Sequence, residues 1–263
     1  MDLATMMTLE PHGPDTFVGI GPTYPWGGLY GGQIVAQALR AAAATVEPEF
    51  RVHSLHAYFI RRGDHEAPIR FEVDRIRNGR SFVTRSVIAR QSVGAILNMS
   101  ASFQIDETAP DMQIAVPPDV PRPDDIKGME WMGMFERRFA GGESGRAMAW
   151  LRTIDDVGDD PVLNACALAY MSDDLPTDAV VKLLYPERKF GDWETGFPFW
   201  TASLDHAIWF HRPISAHDWH LQEFTCHGIM SSRGLSLGHV FDQDGVHLAT
   251  ISQEVLLREL HER

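Results

Sequence analysis

One stretch of this chain is written twice. Leu55 to Arg62 reads Leu-His-Ala-Tyr-Phe-Ile-Arg-Arg and Asp205 to Arg212 reads Asp-His-Ala-Ile-Trp-Phe-His-Arg, with His, Ala and the closing Arg identical at a constant spacing of 150 residues. Each copy is followed by a polar stretch (Asn78-Gly79-Arg80-Ser81, then Ser231-Ser232-Arg233-Gly234), a β-rich segment and a glycine turn at Gly94 or Gly245. The last strand of each then ends in Ser102-Phe103-Gln104 or Ser252-Gln253-Glu254. Such self-similarity means two copies of one fold packed together. The first copy carries Leu55 where the second carries Asp205, which assigns any chemistry to the second half.

The element order within each half is one helix and then an antiparallel meander, an α+β pattern. A short strand at Phe17 to Ile20 precedes the glycine-rich turn Trp26 to Gly32. A small-residue, apolar helix follows at Gln33 to Thr45. Val52 to Ile60, Ile69 to Ile76, Phe82 to Ala89 and Ala95 to Gln104 read as strands, with turn chemistry at Asn78-Gly79 and Gly94. The Pro- and Gly-rich residues 109–145 divide an N-terminal repeat (1–108) from a C-terminal one (146–263), with local helix expected near Trp131 to Phe139. The second half repeats the order. A strand at Ala147 to Thr153 and a helix around Pro161 to Ser172 lead into a long irregular connection, then strands from Ala202, Leu221, Leu235 and Val246.

At 263 residues and 44% hydrophobic content the chain can bury a substantial core. A formal charge of −13 argues against nucleic acid as a partner. Arg61, Arg62, Arg75, Arg77, Arg80, Arg85 and Arg90 nevertheless give the first half a local basic cluster. No apolar run is long enough for a membrane span. Two cysteines, Cys166 and Cys226, without metal spacing, fit buried free thiols in a reducing cytoplasm.

Two places carry candidate chemistry. Asp205 opens an otherwise aromatic strand. It is either a strand-start residue bonded to nearby amides or a reactive acid. Gly31, Gly32 and Gln33 open the first helix, where uncovered amides and the helix dipole attract partial negative charge, unless the glycines only make a tight turn. This is not a phosphate loop, and neither a Gly-x-Ser-x-Gly elbow nor a His-Glu-x-x-His pair is present.

Gly31 to Leu39, Val52 to Phe59, Gly63-Asp64, Ser81-Phe82, Ser102 to Gln104, Asp205 to Pro213 and Gln253-Glu254 together resemble the acyl-CoA thioesterase II family. The likeness covers roughly residues 17–106 and 147–258. It implies a double hotdog, two helices each wrapped by an antiparallel sheet. The activity it implies is hydrolysis of acyl-CoA to free acid and CoA, without cofactor or metal. Carried over by this resemblance, the catalytic acid falls on Asp205 and a Gln on Gln253, while the family's Thr position, counted from Trp219, is taken by His227. Water held by these three would attack the thioester, with Gly31, Gly32 and Gln33 as oxyanion donors. A hotdog hydratase or dehydratase and a catalytically weak acyl-CoA binding protein are the alternatives. The open edge and helix face of a lone hotdog make the two halves inseparable and suggest further homo-oligomerisation.

Overall fold

A computed structural model of the chain describes residues 1–131, 133–187 and 199–259. In the first half, helix α1 (Leu3–Met6) and strands β1 (Glu10–Pro11) and β2 (Thr16–Gly19) lead to helix α2 (Gly31–Ala43). Strands β3 (Phe50–Phe59), β4 (Ile69–Asn78), β5 (Phe82–Gln91) and β6 (Gly94–Ile105) follow. The second half holds strands β7 (Met129–Trp131), β8 (Phe135–Gly141) and β9 (Arg146–Thr153), then helices α3 (Pro161–Met171) and α4 (Pro176–Leu184). It closes with β10 (Phe199–Ser203), β11 (Asp205–Phe210), β12 (His220–Met230), β13 (Arg233–Asp242) and β14 (His247–Glu259).

The strands form one sheet in the order β1-β2-β4-β5-β6-β3-β11-β14-β13-β12-β9-β8-β7, with β10 also paired to β14. Strands β2-β4-β5-β6-β3 thus match β9-β12-β13-β14-β11, and the halves meet where β3 and β11 pair antiparallel. Alternation sets the faces. Leu55 and Ala57 of β3 and His206 and Ile208 of β11 are buried, whereas Tyr58 and Trp209 stand exposed on the other side. Buried side chains of the inner face cover α2 and α3, whose small residues admit close packing.

The repeat is real, but its eight-residue alignment is slipped. Phe103 and Gln253, matched in sequence, both face inward. Their strands then carry Leu55, opposite Ala101, onto Ile208, opposite Ile251. Leu55 and Ile208 also pair with each other across the seam, so a pseudo-twofold axis passes between them. Leu55 therefore corresponds to Ile208 and not to Asp205. A period-two strand shows such a slip as a change of face: Leu55 is fully buried, while Asp205 pairs with exposed Tyr58.

Three further expectations are corrected. The helix near Trp131 to Phe139 is strand instead: β8 pairs with β9 and buries Phe135 and Arg137, and Met132 lies outside the described residues. The connection after α3 contains α4, whose Pro176 starts the helix, where a missing N–H costs nothing. The basic cluster is dispersed into structural contacts. Buried Arg85 donates to Thr45 and Asn78, Arg75 pairs with Asp15, and Arg90 pairs with Glu72. Both cysteines are free and buried, as expected.

Candidate active site

Helix α2 starts without a side-chain cap: Tyr30 occupies the N-cap and makes no capping bond. Its first two residues are glycines that approach α3 closely, and the second has to be glycine. A Cβ on Gly32 would lie 2.2 Å from the Tyr170 carbonyl oxygen, and one on Gly31 would lie 2.6 Å from the Asp173 carboxylate. Glycine lets the end of α3 press against the start of α2. At the other end, Arg40 of α2 approaches Asp160 before α3 at 3.9 Å, so the helices run antiparallel.

Ser172 caps α3, and Asp173 follows it directly. The Gly32 N–H donates to Asp173 Oδ2 at 2.9 Å, and the Ser203 hydroxyl donates to Oδ1 at 2.9 Å. Gln253 Nε2 donates to Ser203 Oγ at 2.8 Å. His206 Nδ1 meets Gln253 Oε1, and the other ring nitrogen lies 2.8 Å from Ser172 Oγ. One direction of donation satisfies this chain. An amide oxygen only accepts, so His206 Nδ1 carries the proton; Nε2 is then a lone pair facing the Ser172 hydroxyl at 2.8 Å, closer than the Ala169 carbonyl that the same hydroxyl reaches at 3.1 Å. Burial pushes His206 down to about 4, which keeps the ring neutral near pH 7. Ser172 and His206 thereby point the Gln253 NH2 at Ser203, and Ser203 points its proton at Asp173.

Burial also pushes Asp173 up to about 6, against the lowering effect of the bonds from Ser203, Gln253 and Gly32. Tyr24 and Tyr30 lie close enough that, after burial, the Asp173 charge also holds their phenols up. Tyr24 stacks on Trp26 at 4.9 Å between centroids, and Tyr30 packs edge-on against Tyr170 at 5.1 Å. The adjacent Asp174 is held by Arg137 Nη1 at 2.5 Å, so Asp173 is left as the buried carboxylate facing the helix start without an ion-pair partner of its own among the described residues. A carboxylate poised near neutrality, with an oriented hydroxyl and amide, can hold a water and take its proton.

Of the residues picked from sequence, Gly31, Gly32 and Gln253 meet here. Asp205 and His227 do not. Asp205 belongs to the outer face, where its Oδ1 accepts from the Glu254 N–H at 2.6 Å, the bond of a strand-start acid. Burial raises its pKa, the Glu254 amide bond opposes that, and the Glu254 charge adds to it. Gln253, one residue from Glu254 on β14, faces inward, so the sheet separates the two side chains. His227 is exposed in a bulge where the β12–β13 register shifts between Cys226 and Gly228. Counting positions from Trp219 presumes an unbroken strand, and the bulge breaks it. Gln33 is fully buried in the first turn of α2, its amide 3.2 Å from Gln37.

Asp173 and Ser203 were not picked from sequence. A signal for Asp173 existed: an acid just past the C-terminus of a buried apolar helix sits at the unfavourable end of that helix's dipole and needs a reason. Ser203, two residues before Asp205, had no comparable mark.

Two family models match the chain, the acyl-CoA thioesterase N-terminal domain over residues 21–104 and the C-terminal domain over residues 107–257. Acyl-CoA thioesterase 2 of Haemophilus influenzae is 34% identical over 88% of this chain and 87% of its own length. Human acyl-coenzyme A thioesterase 8 is 33% identical over 97% of this chain and 88% of its own. Among solved structures, the acyl-CoA thioesterase II TesB2 of Mycobacterium marinum superposes with a TM-score of 0.85 at 32% identity, covering 99% of this chain and 98% of that one.

Proposed function

The chain belongs to the acyl-CoA thioesterase family, and from that premise we propose that Asp173, Ser203 and Gln253 carry the hydrolysis of acyl-CoA to free acid and CoA. The observation that supports this most is the inward-facing set Gln253–Ser203–Asp173 meeting the start of α2 at the Gly32 amide. A water held by the Asp173 carboxylate and oriented by Ser203 and Gln253 attacks the thioester carbonyl. Asp173 takes its proton. The oxyanion that forms is met by the first-turn amides of α2 on either side of the one Asp173 holds, Gly31 and Gln33, each such donor being worth about 3 kcal/mol. Collapse breaks the C–S bond, and the proton on Asp173 passes to the departing CoA thiolate.

In this reading Asp205 is structural, fixing β14 through the Glu254 amide. The hydratase reading is not favoured: the dehydratase domain of RzxB from Pseudomonas fluorescens shares only the fold, at a TM-score of 0.55 and 12% identity. Buried free thiols support a reducing compartment, the cytoplasm, with a place in fatty acid metabolism. A homo-oligomer of double hotdogs is the assembly we propose. Thiol release from acyl-CoAs of graded chain length tests the activity. Hydrolysis of at least one chain-length class is expected, and thiol release no faster than background across the series would overturn the reading.

A further inference from the structure

The pseudo-twofold that carries Leu55 onto Ile208 also carries the active-site end of the α2–α3 pair onto its opposite end. Every reactive position is replaced there. Phe103 stands in place of Gln253. Thr45, which follows the α2 C-cap residue Ala44 as Asp173 follows Ser172, is occupied by Arg85 through a 2.7 Å bond. The start of α3 is closed by its own sequence: Asp160 accepts from the Val162 and Leu163 amides, and Pro161 has no N–H. The carboxylate, amide side chain and open helix start of the active site have no counterpart at this end.

A cavity of about 590 Å³ opens at this end, walled by Leu39, Val52, Phe103, Val162, Phe210 and Ile214, with Arg51 and His53 among its polar residues. That volume lies within the usual range of small-molecule pockets, about 300–1,000 Å³. We propose that this cavity is a second, non-catalytic acyl-chain site, related by the internal symmetry to the active site and able to bind the chain without hydrolysing it. The apolar wall takes the chain, which is common to acyl-CoA and to the free acid product. The assignment of an acyl chain rests on the thioesterase reading, because it treats the cavity as the twin of a pocket that holds one.

Titration calorimetry with a non-hydrolysable thioether analogue of a long-chain acyl-CoA, and separately with the matching free fatty acid, tests it. Wild-type protein should bind two acyl chains per polypeptide. Ala43→Phe and Val162→Phe, which fill the cavity, should each bind one. Both should keep turnover within about twofold, since the reacting groups lie at the other end of the helix pair, and retained turnover also shows that each variant has folded. A second site filled by the free acid alone identifies the product as its occupant, and one filled by the thioether identifies the substrate. Wild-type binding of a single chain with either probe, or two chains retained in both filled variants, overturns the proposal. Failure of the thioesterase reading looks different: wild-type turnover is then absent, whatever the stoichiometry.

Discussion

Asp173 and Asp205 are both half of an argument about where an acid belongs, and the fold gives them different partners. Asp173 is buried against the start of α2 and accepts hydrogen bonds from Ser203 Oγ and the Gly32 amide; Asp205 holds a strand amide on the outer face. Removing the Asp173 charge with Asp173→Asn should lower kcat/KM by about 10²-fold or more, the usual scale of a general base. Asp205→Asn should keep turnover near wild type, because an amide oxygen can still accept from Glu254. Steady-state thiol release compares the two, and near wild-type rates in Asp173→Asn would sink the base assignment. The pH profile follows from the same burial. The base works ionised, so kcat/KM should fall on the acid side with a midpoint near the Asp173 value of about 6, and the limb should belong to the free enzyme. His227→Thr makes a cleaner negative control: the exposed ring in the β12 bulge takes no part in the Gln253–Ser203–Asp173 bonds, so turnover and the acid limb should both be unchanged. A shift of the limb in that variant would return His227 to the site.

The helices are where the site depends on packing. Gly32→Ala puts a methyl group 2.2 Å from the Tyr170 carbonyl oxygen, where backbone cannot yield cheaply, so α2 must move off α3. The amide that meets Asp173 moves with it. Thermal unfolding should shift down and kcat/KM should fall together, and a variant with wild-type values for both would show that this contact is not needed. The same contact explains what the sequence reading could reach. Alternation in β4 (Ile69, Phe71, Val73) and the small apolar runs of α2 and α3 are local signals, and they placed those elements within a few residues. Helix α4 was hidden because Pro176 reads as a break when it is a start. Gly32 and Asp173 are 141 residues apart, and no spacing rule joins them. Gln253 was legible through the family resemblance; Ser203 and Asp173 are catalytic candidates only because β10, β14 and the α3 terminus converge in three dimensions.

At the scale of the whole molecule, the active site is assembled across the duplication: α2 of the first half supplies the amides, while α3, β10 and β14 of the second supply Asp173, Ser203 and Gln253. Neither half holds both. The seam is also where each half closes its sheet, since β3 of the first pairs with β11 of the second and Leu55 is buried against Ile208. A fragment of residues 1–108 would leave the β3 edge unpaired and expose the α2 face that covers α3, a combination that recruits other chains. Such a fragment should be unfolded, or should fold only as a self-associated species in which a second copy replaces the missing half. Size-exclusion chromatography with light scattering and circular dichroism distinguish these states. Mixing with residues 109–263 adds a sharper test, because turnover should return only when both fragments are present and associated. A fragment that is folded, cooperative in unfolding and monomeric would mean that the two repeats are independent domains, and thioester hydrolysis by either one alone would mean that the site does not need the seam.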